Sequence, residues 1–403
     1  MKRWLGFAAA TVIASMGACG GNGSSFGDGG ADAQPSDALP SGDTGNPFGD
    51  AASKEGGNCF KCSADLHSVL DCNDNVVTTC PADQGCGANG ACVPACDSAA
   101  ANQSSIGCEY WAVTPDGWSN IPEYNAGTSD GSCFAAFVNN TWGAPVSVTL
   151  EYNGQTINGG NYAYIPQGSG SAITYQPAPN GQIAAGQMAI VFLAQYGTTQ
   201  AFKTLCPTGT QTAITSVDTG VHGTGTGHAI RLATSAPTVV YDIYPYGGAI
   251  SYITSATLLL PTTVWDTNYI AASTWEITNT FGVSRPSGVT LVANQDGTQV
   301  TISPTADITA RGTVAGTAKG VPHTYTMNRG EILHFMQTGD LTGSPIQSNN
   351  AIGVWGQHYC MSIPTNVGAC YPGHQVAVID LTTWKVLRLM DAGNRADGLA
   401  WVK

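Results

Sequence analysis

Charged residues are scarce in this sequence. Only 10% of the 403 residues are charged, and 14 Lys and Arg residues stand against 27 Asp and Glu residues, which gives a net charge of −13. No basic stripe is present to displace counterions from phosphate, so a nucleic-acid partner is excluded. No long amphipathic helix is evident before residue 375, a pattern unlike that of a helical enzyme.

Catalytic and metal-binding signatures are missing or misplaced. The only GxSxG match, residues 23–27, has no strand before it and no helix after it, so we interpret it as chance. The GTGTG run between His222 and His228 lacks the Lys of a phosphate-binding loop and precedes a strand. The seven histidines form no HExxH or HxH pattern, and we interpret them as scattered strand and loop residues. The sequence therefore predicts no catalytic residue, metal or cofactor.

Paired carboxylates are the remaining route to an enzyme. Glycosidases use two of them, and Glu109 with Asp242 or Glu276 is a conceivable pair. Nothing singles this pair out, and Glu109 fits better in a structural CEYW motif with core aromatics. A secreted glycan-acting hydrolase is kept as the alternative function.

The N-terminus has the order of an export signal. A basic start at residues 2–3 precedes an apolar stretch at 5–14, which is too short to remain as a membrane span. The run at 16–19, MGAC, resembles a bacterial lipobox and predicts a signal peptide over 1–18 with lipidation of Cys19. Gly20 rather than Asp follows, which favours the outer membrane. The Gly-, Ser- and Asp-rich stretch 19–57 is predicted to be a disordered acidic linker.

Cysteine is abundant where large apolar residues are few. Removing Cys19 from the 13 cysteines leaves an even number, as expected for disulfides in an exported chain. Zinc is the alternative for the CxxC at Cys59 and Cys62, with His67 nearby, but the other cysteines between the pairs favour disulfides. Residues 58–107 are predicted to form a small disulfide-rich module. Cys108 belongs either to this module or to the domain that follows it. The disulfide candidates are Cys59, Cys62, Cys72, Cys80, Cys86, Cys92, Cys96, Cys108, Cys133, Cys206, Cys360 and Cys370.

Four of the later cysteines are assigned to two bridges by their closeness in the sequence. Cys360 is expected to pair with Cys370, and Cys108 could pair with Cys133. Cys206 is left without an assigned partner.

From residue 108 onward, short apolar runs separated by turn residues predict an all-β fold. The runs fall into two similar series, over 108–254 and 255–370. The runs that align between the two series are 137–152 with 291–304, 183–194 with 327–337, and 228–244 with 344–359. We therefore predict two similar antiparallel β-sandwich-like units in tandem, with a β-propeller as the alternative. Asp296-Gly297 is a hairpin signal between two runs of the second series.

Each series closes on the same kind of stretch. Residues 225–246 and 341–360 both have a turn-rich start, a polar or Pro-containing corner and an apolar strand that ends in aromatics. Between the series, the LLLP run at 258–261 is predicted to be a buried bridging strand.

Several motifs occur together in a specific order. They are GCEYWAV, SAPTVVYDIYPY, the LLLP…W…YI bridge, NQDGTQVTI, MNRGEILHF and LTGSPIQSNNAIGVWGQHYCMSIP, and they span about residues 107–370. In this the chain resembles the IgGFc-binding protein N-terminal domain family, whose members include bacterial surface lipoproteins. The resemblance implies an extracellular all-β binding or adhesive module. It does not by itself transfer the antibody ligand.

The last segment, 371–403, departs from that pattern. It looks like a helix former, and it holds 4 of the 14 basic residues. We interpret it as an atypical tail, compatible with a truncated or frameshifted reading frame. A degraded, non-functional copy is a further alternative.

The sequence as a whole predicts an outer-membrane-anchored, cell-surface or periplasm-facing protein that binds an extracellular protein or a glycan. Aromatic residues in or near polar loops are the candidates for contact, because such side chains stack on sugars and anchor protein partners. They are Trp118, Tyr124, Trp142, Tyr162, Tyr164, Tyr175 and Tyr244.

Overall fold

The chain folds almost entirely as antiparallel β-strands. A computed structural model describes residues 60–116, 129–198, 202–247, 255–273, 278–280, 283–361 and 371–375. All of them belong to the compact unit that begins at Asn58. The predicted signal peptide, Cys19 and the linker lie outside the described residues. None of the helices in the described part has the length and apolar character needed to cross a membrane.

The cysteine-rich module is built from very short elements. Its strands and helix are β1 (Lys61–Cys62), β2 (Ser68–Leu70), β3 (Val76–Thr79), β4 (Gln84–Cys86), β5 (Cys92–Pro94) and α1 (Ala95–Asn102). Strands β1 to β3 form one sheet, and β4 pairs with β5. Its own core is small, with Val69, Cys80 and Cys86 at the centre. Covalent bridges supply what so small a core cannot.

Disulfides are confirmed for the cysteines whose bridges the structure describes. The bridges are Cys62–Cys86, Cys80–Cys92, Cys96–Cys108 and Cys133–Cys206, and Cys72 is also disulfide-bonded. The expected Cys108–Cys133 bridge is wrong. Cys108 instead links the first β unit to Cys96 on the helix of the module. Cys133, at the start of a strand, is linked to Cys206 in a later loop. Cys59, Cys370 and the side chain of Cys360 lie outside the described part, so the Cys360–Cys370 bridge stays a prediction.

Two large sheets follow the module. The strands of the first part of the chain are β6 (Gly107–Ala112), β7 (Phe134–Asn139), β8 (Val146–Tyr152), β9 (Gln155–Asn158), β10 (Ala163–Gln167), β11 (Thr174–Pro177), β12 (Gln182–Ile183), β13 (Met188–Ala194), β14 (Gly225–His228), β15 (Ile230–Tyr244) and β16 (Ser255–Leu259). Those of the second part are β17 (Asp266–Ile270), β18 (Thr278–Thr280), β19 (Val283–Arg285), β20 (Ser287–Ala293), β21 (Thr298–Ile302), β22 (His323–Met327), β23 (Glu331–Gln337), β24 (Pro345–Met361) and β25 (Tyr371–Gln375).

The duplication is visible in the order of the strands. One sheet runs β13-β7-β15-β8 through its centre, and the other runs β23-β20-β24-β21. These are the pairs of segments that align in the sequence. The all-β, sandwich-like expectation is confirmed: the strands form two large curled antiparallel sheets and not the separate four-stranded blades of a propeller.

Each sheet is organised around one long strand, β15 or β24. The first half of β15 pairs with β6 and β8, and its second half pairs with β7 and β16. Likewise the first half of β24 pairs with β17 and β21, and its second half with β20 and β25. A register shift between Ala233 and Thr238 marks the predicted corner of β15. The long strand therefore passes from one layer of its unit to the other.

The expected hairpin at Asp296-Gly297 is wrong. Gly297 does turn the chain, with a φ of +66°, but β20 and β21 do not pair with each other. Both pair with β24, on its second and first half respectively. The turn is therefore an arch between the two layers of the unit, because the long strand lies between its two arms.

The predicted boundary after residue 254 does not separate the two sheets. Strand β14 precedes the boundary yet pairs with β23 of the second sheet, and β16 follows it yet pairs with β15 of the first. The bridging function of the LLLP run is confirmed, since β16 ends at Leu259 and β17 begins the second sheet seven residues later. Each unit thus holds one strand from the other side of the boundary.

Alternation of buried and exposed residues sets the two cores. Strand β8, VSVTLEY, buries every second side chain. Val138, Leu150 and Leu232 lie in the first core, and Leu291 and Phe335 lie in the second. Each such side chain contributes about 1.5–3 kcal/mol by leaving water. The module adds Leu66 and two alanines of α1 to the first core, beside Trp142.

The tail begins as part of the fold. Strand β25, Tyr371–Gln375, pairs with the second half of β24 in the position that β16 holds on β15. The prediction that the pattern ends at residue 370 is therefore wrong. Residues 376–403, including the predicted helix former, lie outside the described part.

Candidate functional site

Five ionisable side chains meet where the two β units join. Asp116 follows β6, Asp130 precedes β7, and Asp218 and His222 lie in the segment that leads into β14. His334 reaches the same place from β23 of the second sheet. We call these residues the junction cluster. His222 is a loop residue and His334 a strand residue, as expected, but their meeting in one cluster was not predicted from the sequence.

His222 is the centre of the junction cluster. Its Nδ1 lies 3.1 Å from Asp116 Oδ1 and its Nε2 lies 3.3 Å from Asp218 Oδ2. Asp130 Oδ1 is also near Nδ1, at 3.6 Å. A ring with a carboxylate at each nitrogen is a donor on both sides, which is the protonated imidazolium.

Asp116 is fully buried and is held from several sides. The backbone N–H of Gly223 donates to its Oδ2 at 2.7 Å, and its own N–H donates to Gln357 Oε1 at 3.3 Å. His334 Nε2 lies 3.8 Å from Oδ2, within ion-pair range but too far for a hydrogen bond. Three separate segments of the chain thus converge on one carboxylate.

A short relay positions His334. The amide of Gln357 donates to Thr290 Oγ1 at 2.6 Å, and this hydroxyl lies 2.7 Å from His334 Nδ1. Because the hydroxyl already accepts from Gln357, its own hydrogen is free for Nδ1. The arrangement favours the tautomer that carries its hydrogen on Nε2, facing Asp116.

The environment separates the pKa values of the cluster. Burial works against a charged His222, but hydrogen bonds to Asp116 and Asp218 outweigh it and raise its pKa to about 10. Burial likewise opposes ionised Asp116 and Asp218, yet the hydrogen bonds from His222 hold both of their pKa values below the usual range. Burial raises the pKa of Asp130 to about 7. At neutral pH His222 is therefore a cation, Asp116 and Asp218 are anions, and Asp130 is a carboxyl near its titration point.

The junction cluster is not arranged as a metal site. Within the described ranges, no group of three or more His, Cys, Asp or Glu side chains could hold a metal ion. The physical reason is that both ring nitrogens of His222 already face carboxylates, so the imidazolium occupies the place of a cation.

A second charged group crosses the same junction. Arg231 donates to Glu109 at 2.7 Å, and Arg329 of the second unit donates to Glu151 at 2.5 Å. The guanidinium of Arg329 also lies 5.3 Å from the ring of Trp111, a cation–π contact. Trp111 in turn donates to Asn294 across the junction at 3.0 Å.

This ion-pair group includes one member of the carboxylate pair considered from the sequence. Glu109 is paired with arginine, and Asp242 is buried in the sheet, where burial raises its pKa to about 8. Glu276, the other candidate partner, lies outside the described residues, so the glycosidase pair stays a prediction. Glu109 is therefore a structural residue of the junction.

Comparison with known families addresses the second half of the chain. Residues 255–384 match the family model of the IgGFc binding protein. We call residues 255–384 the IgGFc-binding match. The resemblance inferred from the motifs is confirmed over these residues, about a third of the chain. The match also covers β25, so the family's pattern continues past residue 370. No curated protein and no solved structure matches the chain.

The candidate contact aromatics all lie before the IgGFc-binding match. Trp142, Tyr164 and Tyr244 are buried, so the expectation that they contact a ligand is wrong for this conformation. Trp142 donates to Ala82 O and packs under the module, and Tyr244 donates to Ser129 O. Tyr162 and Tyr175 are half-buried and stay predictions. Trp118 and Tyr124 lie outside the described residues.

Exposed apolar side chains mark other surfaces that the sequence analysis missed. Tyr241 and Tyr196 are each 44% exposed on the first unit, and Met188 is 37% exposed. Val321 is 52% exposed and is the large exposed apolar side chain among the described residues of the IgGFc-binding match. It precedes β22, which lies at one edge of the second sheet. The sequence predicts strands but does not say which strand lies at an edge, because the edge is set by the order of the strands in the sheet. These exposed positions therefore could not be predicted.

Proposed function

We propose that this protein is a surface-anchored binding module for an extracellular protein. The observation that carries the proposal is the IgGFc-binding match over residues 255–384. The disulfide-stapled module and the scarcity of charge support it, because both suit an exported, rigid β framework. Lipidation of Cys19 and retention at the outer membrane are part of the proposal. So is the absence of enzymatic turnover.

The edge strand β22 is our candidate contact surface. Within the described part of the second sheet it has one neighbour, β21, so one row of backbone groups is available to a partner strand. Thr324 and Thr326 are exposed on it, and Val321 stands beside it. Such an edge binds an extended protein segment through main-chain hydrogen bonds, with nearby apolar side chains adding specificity.

Direct binding measurements test this proposal. The full chain is immobilised and probed with antibody Fc fragments, with extracellular proteins from its own surroundings, and with a glycan array. We expect saturable binding to a protein probe, reduced about tenfold by Val321→Asp through loss of apolar contact and added charge. Tyr241→Asp is the matched control on the first unit and should leave binding unchanged.

Two outcomes would contradict the proposal. Binding to glycans with no protein bound would show that the ligand class is wrong. Loss of protein binding in Tyr241→Asp, with Val321→Asp unaffected, would move the contact surface to the first unit.

The anchor is tested separately. Mass spectrometry of the mature N-terminus should find a diacylglyceryl group on Cys19, and Cys19→Ser should release the protein from the membrane fraction. An unmodified N-terminus elsewhere would leave a soluble exported binding protein.

A glycan-acting hydrolase is the second candidate, and the junction cluster gives it one specific support. Asp130 holds a proton near pH 7 while Asp218 is ionised, the division that an acid and a nucleophile or base need. The imidazolium of His222 lies between them, which argues against a sugar at that place. Turnover of a polysaccharide that is abolished by Asp130→Asn would establish this candidate over the binding module.

A further inference from the structure

The junction cluster ties the first β unit to the second through His222. The segment that contains it runs directly into β14, which pairs with β23 of the second sheet from Gly225↔His334 to His228↔Glu331. Thr224 adds a double contact, donating to the carbonyl of Met336 and accepting its N–H. A change in the interactions of His222 therefore affects the pairing of β14 with β23, which joins the two units.

One carboxylate has no proper partner. The Nδ1–H of His222 is taken by Asp116 at 3.1 Å, and one N–H serves one strong acceptor. Asp130 is left at 3.6 Å, and its Oδ1 is buried with no hydrogen-bond partner. An ionised Asp130 is then a third negative charge beside Asp116 and Asp218. The imidazolium that attracts it is already hydrogen-bonded to both of them, and Lys203 adds a weaker attraction.

We propose that the junction cluster is a proton-sensitive clasp between the two β units, tight when Asp130 is protonated and looser when it is ionised. Protonation removes the surplus negative charge and turns the unpartnered oxygen into a donor toward its neighbours. Ionisation leaves a buried charge without a hydrogen-bond partner and adds repulsion from Asp116 and Asp218. The attraction of the His222 imidazolium does not offset this cost, so the junction and the strand that follows it are held less tightly. The charged and titratable groups that face Asp130 or its partners are Asp116, Asp218, His222, His334, Lys203, Tyr152 and Tyr244.

The direction of the pH effect follows from linkage. The pKa of Asp130 in the folded chain, about 7, lies above its ordinary value of 3.8. Its contribution to the clasp is therefore complete below pH 3.8 and is lost as pH rises through about 7. His222, with a pKa raised to about 10 from 6.5, adds a second loss between those values.

Strong acid works in the opposite direction. The pKa values of Asp116 and Asp218 are lowered, so their contributions are present above 3.8 and are lost as pH falls below it. The clasp is therefore tightest near pH 4 and weakens continuously as pH rises from there to about 7.

Amide hydrogen exchange on the full chain with disulfides intact tests the clasp. Protection of peptides covering 214–229 and 331–337 is measured from pH 5.5 to 8.5 and corrected for the intrinsic exchange rate at each pH. We expect protection to fall about tenfold across this range in the unaltered chain. In Asp130→Asn, which imitates the protonated carboxyl, the part of the fall due to Asp130 should vanish. Only the loss due to His222 above pH 6.5 should remain, and protection at pH 8.5 should exceed that of the unaltered chain.

Asp242→Asn is the matched control. Asp242 is another buried carboxyl with a raised pKa, but it lies within the first sheet. This variant should keep the pH dependence of the two junction peptides. If Asp130→Asn fails to fold, the pH profile of the unaltered chain decides alone. Flat protection in the unaltered chain, or an unchanged slope in a folded Asp130→Asn, would overturn the clasp.

Discussion

The two β units place different chemistry at the same register positions. In the first unit, Phe137 on β7 lies between Tyr241 on β15 and Ile190 on β13. In the second, Thr290 on β20 lies between Trp355 on β24 and His334 on β23. Both rows are on the face turned away from the unit's own core, so the shared fold does not dictate which side chains stand there.

What covers each row explains the difference. The first row is covered in part by residues of its own unit. The ring centroid of Tyr246 lies 6.0 Å from that of Phe137 and 5.4 Å from that of Phe192, and the nearby loop is fixed by Cys133–Cys206. The second row is covered by the first unit, which brings Asp116 to His334. A face that meets its own loop can be apolar, whereas one that meets a buried carboxylate needs donors. The duplicated unit therefore kept its strand order while its outer faces diverged.

The largest expected contrast is between the two aromatics at the matching end of these rows. Trp355→Ala should lower the free energy of unfolding by about 4 kcal/mol, because it empties a buried site against Trp265. Tyr241→Ala at the half-exposed equivalent should cost about 0.5 kcal/mol. Urea unfolding with disulfides intact measures both. Equal losses would show that the two faces are covered to the same extent.

Removing the cation at the junction should have the next largest effect. His222→Ala leaves the buried carboxylate of Asp116 without its main partner, and breaking a buried pair costs about 3 kcal/mol. His323→Ala on the edge strand β22 is the control, expected to cost about 0.5 kcal/mol. Unfolding at pH 7 is the measurement. A loss for His222→Ala no larger than that of the control would mean that the junction does not depend on this charge.

The smallest expected effect concerns the relay in the second row. Thr290→Val keeps the shape of the side chain but leaves His334 Nδ1 and the Gln357 amide without their shared hydroxyl, at a cost of about 2 kcal/mol. Thr301→Val, which removes an exposed hydroxyl paired with Thr324, should change stability by less than about 0.5 kcal/mol. Unchanged stability in Thr290→Val would show that the row tolerates apolar residues, as its counterpart does.

Much of the framework could be predicted from the sequence because it depends on local patterns. The aligned segments 183–194 and 327–337 became β12–β13 and β23, and both predicted corners lie within long strands. Turn residues and alternation carry that information. The hairpin at Asp296-Gly297 failed for the same reason, since a turn signal does not say which strand comes to lie between its arms.

The junction cluster could not be predicted in the same way. Asp116, His222 and His334 are far apart in the sequence, and only the pairing of β14 with β23 brings them together. The spacing of Asp218 and His222, four residues apart, was the one local signal. The burial of Trp142 could not be predicted either, because the group that its indole N–H contacts, Ala82 O, belongs to the preceding module.

The strands exchanged at residue 254 set an order of events during synthesis. Strand β14 is made early, but its partner β23 lies about one hundred residues later in the chain, a separation that slows folding. The first sheet likewise lacks one strand until β16 has been made and can pair with β15. A partly synthesised chain that stops between these points carries unpaired edges. Both sheets therefore need strands from either side of residue 254, and a fragment that stops there completes neither unit.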